Sequence, residues 1–215
     1  MNPATLLKVL RASAPVADQR QAIPILNHVL IESNGHLRLT TTDLEIGIRV
    51  TLSPQLGEPE FQVTAPAKLV RSILQTATDD VTFSAMCDIY RRDHVPSLII
   101  RDATAEWQIY GMNSHDFPMW PDVLSWSLDS INTAECVKAL KDAIKHSPKM
   151  GRHWLRDTTV RVQPLGELRA ATAERLAAVL SKLAKTYPTM ESTVEEKYVC
   201  LTLENTEIIV RLTTS

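Results

Sequence analysis

Cations recur at helical spacing in four places along this 215-residue chain. Lys8 and Arg11 are three apart, as are Lys68 and Arg71; Lys138, Lys141 and Lys145 follow, and Arg175, Lys182 and Lys185 form the fourth group. Steps of three or four put side chains on one face of a helix, and the apolar residues of each segment take the opposite face. A row of cations is suited to attraction to a phosphate backbone, without base readout. For any one helix a solvated surface is the ordinary reading. Four helices that agree, the first two without any Asp or Glu, fit a positive lining if they lie side by side. Arg20, in the loop ADQRQAIP, is a further candidate for this lining, outside the four helices. In MGRHWLRD, Trp154 is an aromatic flanked by basic residues, Arg152 among them, which either fills a core or stacks on a nucleotide.

Other chemistries have weaker footing. Asp43 and Glu45 beside Thr40, Thr41 and Thr42 raise metal or general-base chemistry, but no partner cluster accompanies them. The six His residues form no HExxH or close pair, and no Walker-type, G-x-S-x-G or G-x-G-x-x-G element occurs. The expectation is a protein that is not an enzyme and carries no metal or cofactor. Cys87, Cys136 and Cys200 are odd in number and far apart, which suits neither a disulfide framework nor a zinc knuckle. With no signal-like start and no apolar run near the roughly 20 residues of a membrane span, a cytoplasmic location and no membrane partner are expected.

The elements that must carry the cations follow from periodicity. A helix is predicted from Thr5 to Ser13 with Leu6, Leu7 and Leu10 inward. Strands follow near 25–32 and 36–42, joined by the hairpin signal Asn34-Gly35, then a strand at 44–51. In LRLTTTDLEIGIRV, Leu37, Leu39, Leu44, Ile46, Ile48 and Val50 alternate with polar residues, and Thr40 to Asp43 read as the turn between two strands. Strand 61–65 runs into Pro66, which suits the first turn of a helix at 67–77 burying Leu69, Val70, Ile73 and Leu74. Strands near 80–86, 97–102 and 105–111 complete the first half. The second half predicts a helix at 133–146, strands at 158–163 and 167–172, a helix at 173–187 and strands near 197–204 and 207–213.

The halves look like two copies of one unit. LLKVL at 6–10 matches CVKAL at 136–140, HLR at 36–38 matches ELR at 167–169, and the order of elements recurs. The reading is α+β, with domains at 1–124 and 125–215, each with two helices packed on antiparallel sheet. Residues 1–125 hold 10 Lys or Arg against 14 Asp or Glu, and residues 126–215 hold 13 against 11. Neither half is a polyanion-binding tail, so any basic surface must come from placement.

The segments QRQAIPILNHVLIES, LRLTTTDLEIGIRV, VTAPAKLVRSIL and HDFPMWPD together resemble the first domain of the bacterial DNA polymerase III beta sliding clamp family. The helix at 133–146, MGRHWLRD and LRAATAERLAAV resemble its second domain. The resemblance implies a ring of repeated domains with helices around duplex DNA and sheets outside, so this would be a two-domain, shortened version. Family members have three domains per subunit and close as dimers; two domains per chain then favour a homo-oligomeric ring of three. Implied partners are duplex DNA, a DNA polymerase or repair factor, a clamp loader, and the chain itself. The implied ring closure draws on strand edges near 105–111 and 207–213. In the family, the region matching Thr172, Arg175 and Leu176 helps form a peptide-binding pocket for clients. Here Ala171 to Ala177 departs from the family's ATDGHRLA, which puts that pocket in question. The alternative is a clamp-like interaction protein that binds a host clamp or its clients without encircling DNA.

Overall fold

A computed structural model describes residues 2–17, 22–52, 60–87, 96–121, 129–147, 158–163, 165–195 and 197–213. The chain forms two compact units, Met1–Asp43 with Arg49–Met119, and Leu44–Ile48 with Trp120–Ser215. Among the described residues no helix is long and apolar enough to cross a membrane.

In the first unit, helix α1 spans Pro3–Ala12, starting two residues before the expected Thr5. Asn2 is its cap, its Oδ1 accepting from the Ala4 N–H at 2.8 Å, and Pro3 loses nothing at a position whose N–H has no helical partner. Leu6 and Leu10 are fully buried, whereas Leu7, expected inward, is only half-buried. A single turn, α2 (Ala14–Ala17), follows. Pro24–Asn27 form a 3-10 turn, so strand β1 covers His28–Ser33 and begins later than periodicity predicts. It pairs with β2 (Leu37–Thr42) with Ser33 opposite Leu37. The Asn-Gly hairpin therefore has three loop residues, Asn34 to His36, with Gly35 at a φ of 67° that glycine adopts without strain.

The threonine cluster is a correction. Thr40 to Thr42 are strand residues, Thr40 and Thr41 buried, and the reversal comes afterwards at Leu44, whose φ is 73°. Leu44 is 47% exposed: the turn takes it out of the alternation in which Ile46, Ile48 and Val50 are buried. Strand β3 is Ile46–Leu52 and β4 is Phe61–Pro66, in the order β4-β1-β2-β3. Pro66 ends β4 and caps α3 (Ala67–Thr76) rather than lying within its first turn. Val70, Ile73 and Leu74 are buried, but Leu69 is 45% exposed. One position from Val70 is roughly 100° around a helix, enough to leave the buried stripe. Helix α3 packs on α1.

Strands β5 (Thr82–Cys87), β6 (Pro96–Arg101) and β7 (Glu106–Tyr110) form a meander, in which Phe83, Ile100 and Trp107 stand opposite one another. Past β7 the backbone presses against β4. A Cβ on Gly111 would lie 1.8 Å from the Thr64 carbonyl oxygen, and the Thr64 hydroxyl donates to the Met112 carbonyl at 2.7 Å. Gly111→Ala is expected to destabilise the first unit by about 3 kcal/mol, since a backbone clash admits no easy side-chain relief. Urea unfolding followed by near-ultraviolet circular dichroism measures it.

In the second unit β8 (Asp129–Asn132) leads into α4 (Thr133–His146), the range that periodicity predicts. Asn132 caps it, Oδ1 accepting from Glu135 N–H at 3.1 Å. Strands β9 (Thr159–Val162) and β10 (Gly166–Arg169) pair. Helix α5 is Ala170–Leu183, so residues 170–172, expected in a strand, are helical; the buried series Ala170, Ala173, Leu176, Ala177, Leu180, Leu183 has helical spacing from its first member. Helix α5 packs on α4. Strand β11 (Thr189–Val194), absent from the sequence reading, joins β12 (Tyr198–Leu203) and β13 (Thr206–Arg211) in the order β13-β12-β11-β8. The far side of β13 is occupied by Leu44–Ile48 of the same unit, the Arg211 N–H donating to the Glu45 carbonyl at 2.8 Å. The strand at 207–213 is thus not the open edge expected of it. Each unit is α+β, two longer helices with antiparallel sheet.

Candidate nucleic-acid interface

Burial of Leu6 and Leu10 turns the opposite face of α1 to solvent, and Lys8 and Arg11 are exposed there. On α3, Lys68 is exposed, but Arg71 is half-buried and its Nη1 donates to the Leu10 carbonyl at 3.4 Å. That carbonyl lies in the last turn of α1, where backbone oxygens lack helical donors and carry partial negative charge. Arg71 therefore ties α3 to α1 as well as adding charge. On α4, Lys138, Lys141 and Lys145 are all exposed, opposite buried Cys136, Val137 and Leu140. Among the described residues Lys68, Lys138, Lys141 and Lys145 make no ion pair. The α4 row is interrupted by Asp142, whereas α1 and α3 have no acid at all. Of the fourth group, Arg175 is half-buried on α5, Lys182 is exposed near its end, and Lys185 lies beyond it. Arg20, Arg152 and Trp154 lie outside the described residues.

The residues matched to the client pocket differ in exposure. Leu176 is fully buried in the core and Thr172 is 1% exposed, leaving Arg175 as the one with surface. Leu176 lies on the buried stripe of the helix expected at 173–187, whereas Thr172, expected in a strand, falls in the first turn of α5. Thr172 meets Glu45. Glu45 Oε1 accepts from Arg169 Nη1 at 3.2 Å, Glu45 Oε2 accepts from the Thr172 hydroxyl at 3.4 Å, and Arg175 Nη2 approaches that hydroxyl at 3.5 Å. Helix α5 has no acid in its first turn and no side-chain cap at Arg169, so Glu45 supplies the negative charge that a helix N-terminus favours. Glu45, which has no partner cluster in the sequence to support acid chemistry, is an ion-paired anchor in the structure. Glu45→Ala is expected to lower the stability of the second unit by about 1 kcal/mol, read as a fall in the urea midpoint.

Two of the cysteines are muted as nucleophiles. Burial pushes the Cys136 thiol up to about 11 and raises that of Cys200, chiefly through desolvation, so both are protonated at neutral pH. Among the described residues no group of three or more His, Cys, Asp or Glu is placed to hold a metal ion.

Residues 1–121 match the family described as DNA polymerase III beta subunit, N-terminal domain. The beta sliding clamp of Pseudomonas aeruginosa is 33% identical over 116 residues, covering 53% of this chain and 29% of that protein. That of Caulobacter vibrioides is 31% identical over 141 residues, 64% of this chain and 36% of its own length. Among solved structures, the DNA polymerase III beta subunit of Thermotoga maritima superposes with a TM-score of 0.77 at 16% identity. The C. crescentus beta sliding clamp does so at 0.75 and 20%. Each covers all of this chain, and the chain spans 64% of each solved clamp. These structural likenesses establish the fold. With more than half its length inside the family's N-terminal domain, and with cations displayed on paired helices over an α+β core, the chain belongs to the DNA polymerase III beta subunit family.

Proposed function

We propose that this chain is a DNA sliding clamp, a non-enzymatic ring that encircles duplex DNA and tethers a DNA polymerase or repair factor. The observation that carries the reading is the display of cations without acids on α1 and α3 within the 121 residues that match the family. The mechanism is topological. A closed ring holds the duplex without tight contacts, and weak phosphate contacts let it slide. The working partners are duplex DNA, the polymerase, a clamp loader with its own ATPase, and further copies of the chain; the chain needs no cofactor of its own. The proposed DNA-facing set is Lys8, Arg11, Lys68, Arg71, Lys138, Lys141 and Lys145, with Arg20, Arg152 and Trp154.

Closure of identical chains requires a head-to-tail contact. Among the described residues strand β7 ends its sheet and offers one edge, whereas β13 is flanked on both sides. Light scattering at micromolar concentration is expected to give three times the 24.0 kDa chain mass. A monomer throughout that range would reject the homo-oligomeric ring and favour a clamp-like protein that binds a host clamp or its clients.

A further inference from the structure

The first unit contains an open cleft of about 1130 Å³ whose lining sets Asp79 and Asp80 against one cation, Arg11. Ala4, Leu7 and Arg11 of α1 form one wall, three and four residues apart; Leu74 lies at the base, and Ala77 to Asp80 with Ala103 form the other wall. Leu7 is the residue that periodicity assigned to the core, and its partial exposure is explained by this position. The far wall is preformed. The Asp102 carboxylate accepts from Thr104 N–H at 2.8 Å and Ala105 N–H at 2.7 Å. It thereby fixes the β6–β7 hairpin tip. Asp79 and Asp80 are exposed on the rim, in the loop after α3.

Two neighbouring carboxylates repel a phosphate backbone, so the cleft is unsuited to DNA although Arg11 borders it. Apolar side chains and methyl groups in the walls, with paired acids at one end, complement a segment of opposite design. We propose that the cleft seats a short peptide of a client protein, an aliphatic or aromatic side chain resting on Leu7 and Leu74 and an adjacent Lys or Arg meeting Asp79 and Asp80. The identity of the occupant as a client rests on the tethering function above; the peptide chemistry does not.

The probe is a fluorescein-labelled, acetylated and amidated tetrapeptide of arginine, leucine, phenylalanine and arginine, compared with its counterpart bearing glutamates in place of arginines. The full chain is expected to bind the basic peptide more tightly by fluorescence anisotropy. Amide shifts should fall on Leu7 and Ala77 to Asp80 in the NMR spectrum. The D79N/D80N double variant is expected to weaken binding about fivefold, the size of two exposed charge pairs, and Leu7→Gln to weaken it as well. Equal binding of the two peptides, no change with D79N/D80N, or shifts confined to other surfaces would each overturn the site. Because Asp79 and Asp80 are outside the cationic set and repel phosphate, D79N/D80N should hold DNA no less well than the unaltered chain. Loss of the clamp function with peptide binding intact would reject the ring and leave the cleft standing.

Discussion

On nicked circular duplex DNA the loaded protein is expected to survive a salt wash, and to leave when a restriction enzyme cuts the same circle. Topology and charge attraction give different outcomes here. A protein held by six to ten phosphate contacts loses roughly 10³ to 10⁵ in affinity between 50 and 200 mM salt, and it does so equally on circles and linear fragments. A closed ring slides off a free end but stays on a circle until it opens, whatever the salt does to its weak contacts. The measurement is gel filtration of loaded complexes before and after cutting, with a cognate loader present so that loading is demonstrated first. Equal loss from circle and linear DNA after demonstrated loading would reject the ring mechanism.

The second large effect concerns the helix cations. Replacing Lys8, Arg11, Lys68, Lys138, Lys141 and Lys145 by Gln should flatten the salt dependence of duplex binding by up to about 5 in log–log slope, near 0.9 per phosphate contact removed. Low-salt affinity should fall about a thousandfold, similarly for unrelated sequences, since backbone contacts carry no sequence information. Stability should hardly move, because exposed charges contribute little to it. Arg71 is left out of the set because it also donates to the Leu10 carbonyl, so its loss would mix folding with binding. The control neutralises Arg161, Lys197 and Arg211, exposed cations borne by strands or turns. Arg101 is unsuitable there because it is paired with Glu106. If the control lowers affinity as much as the helix set, the cations of the helices are not the DNA surface.

Local patterns in the sequence determined much of the architecture. Helix α4 was legible to the residue because Asn132 caps it and Cys136, Val137 and Leu140 repeat at its period. The outward positions of Lys8, Arg11, Lys68, Lys138, Lys141 and Lys145 followed from the same geometry, since whatever lies opposite a buried stripe must face water. Strand β11 escaped because its buried positions are Met190, Ser192 and Thr193, two of them hydroxyl-bearing residues that read as loop. Leu69 and Leu44 escaped because type alone suggests burial, whereas a 100° offset and a left-handed turn expose them.

What only the tertiary structure decided is how distant segments meet. The pairing of Glu45 with Arg169 and Thr172 joins residues more than 120 apart, and it converts a candidate acid into the anchor of α5. The laying of Leu44–Ile48 beside β13 removes the strand edge that the sequence had offered for ring closure. Leu7 behaves likewise, its partial exposure set by the loop after α3 and the β6–β7 hairpin, which border the same cleft. Periodicity records which side of an element is apolar because successive side chains occupy fixed angles around a local axis. It contains no record of which remote segment will cover that side. That depends on the path of the whole chain, where the gain from burying two faces together offsets the entropy of closing the loop between them.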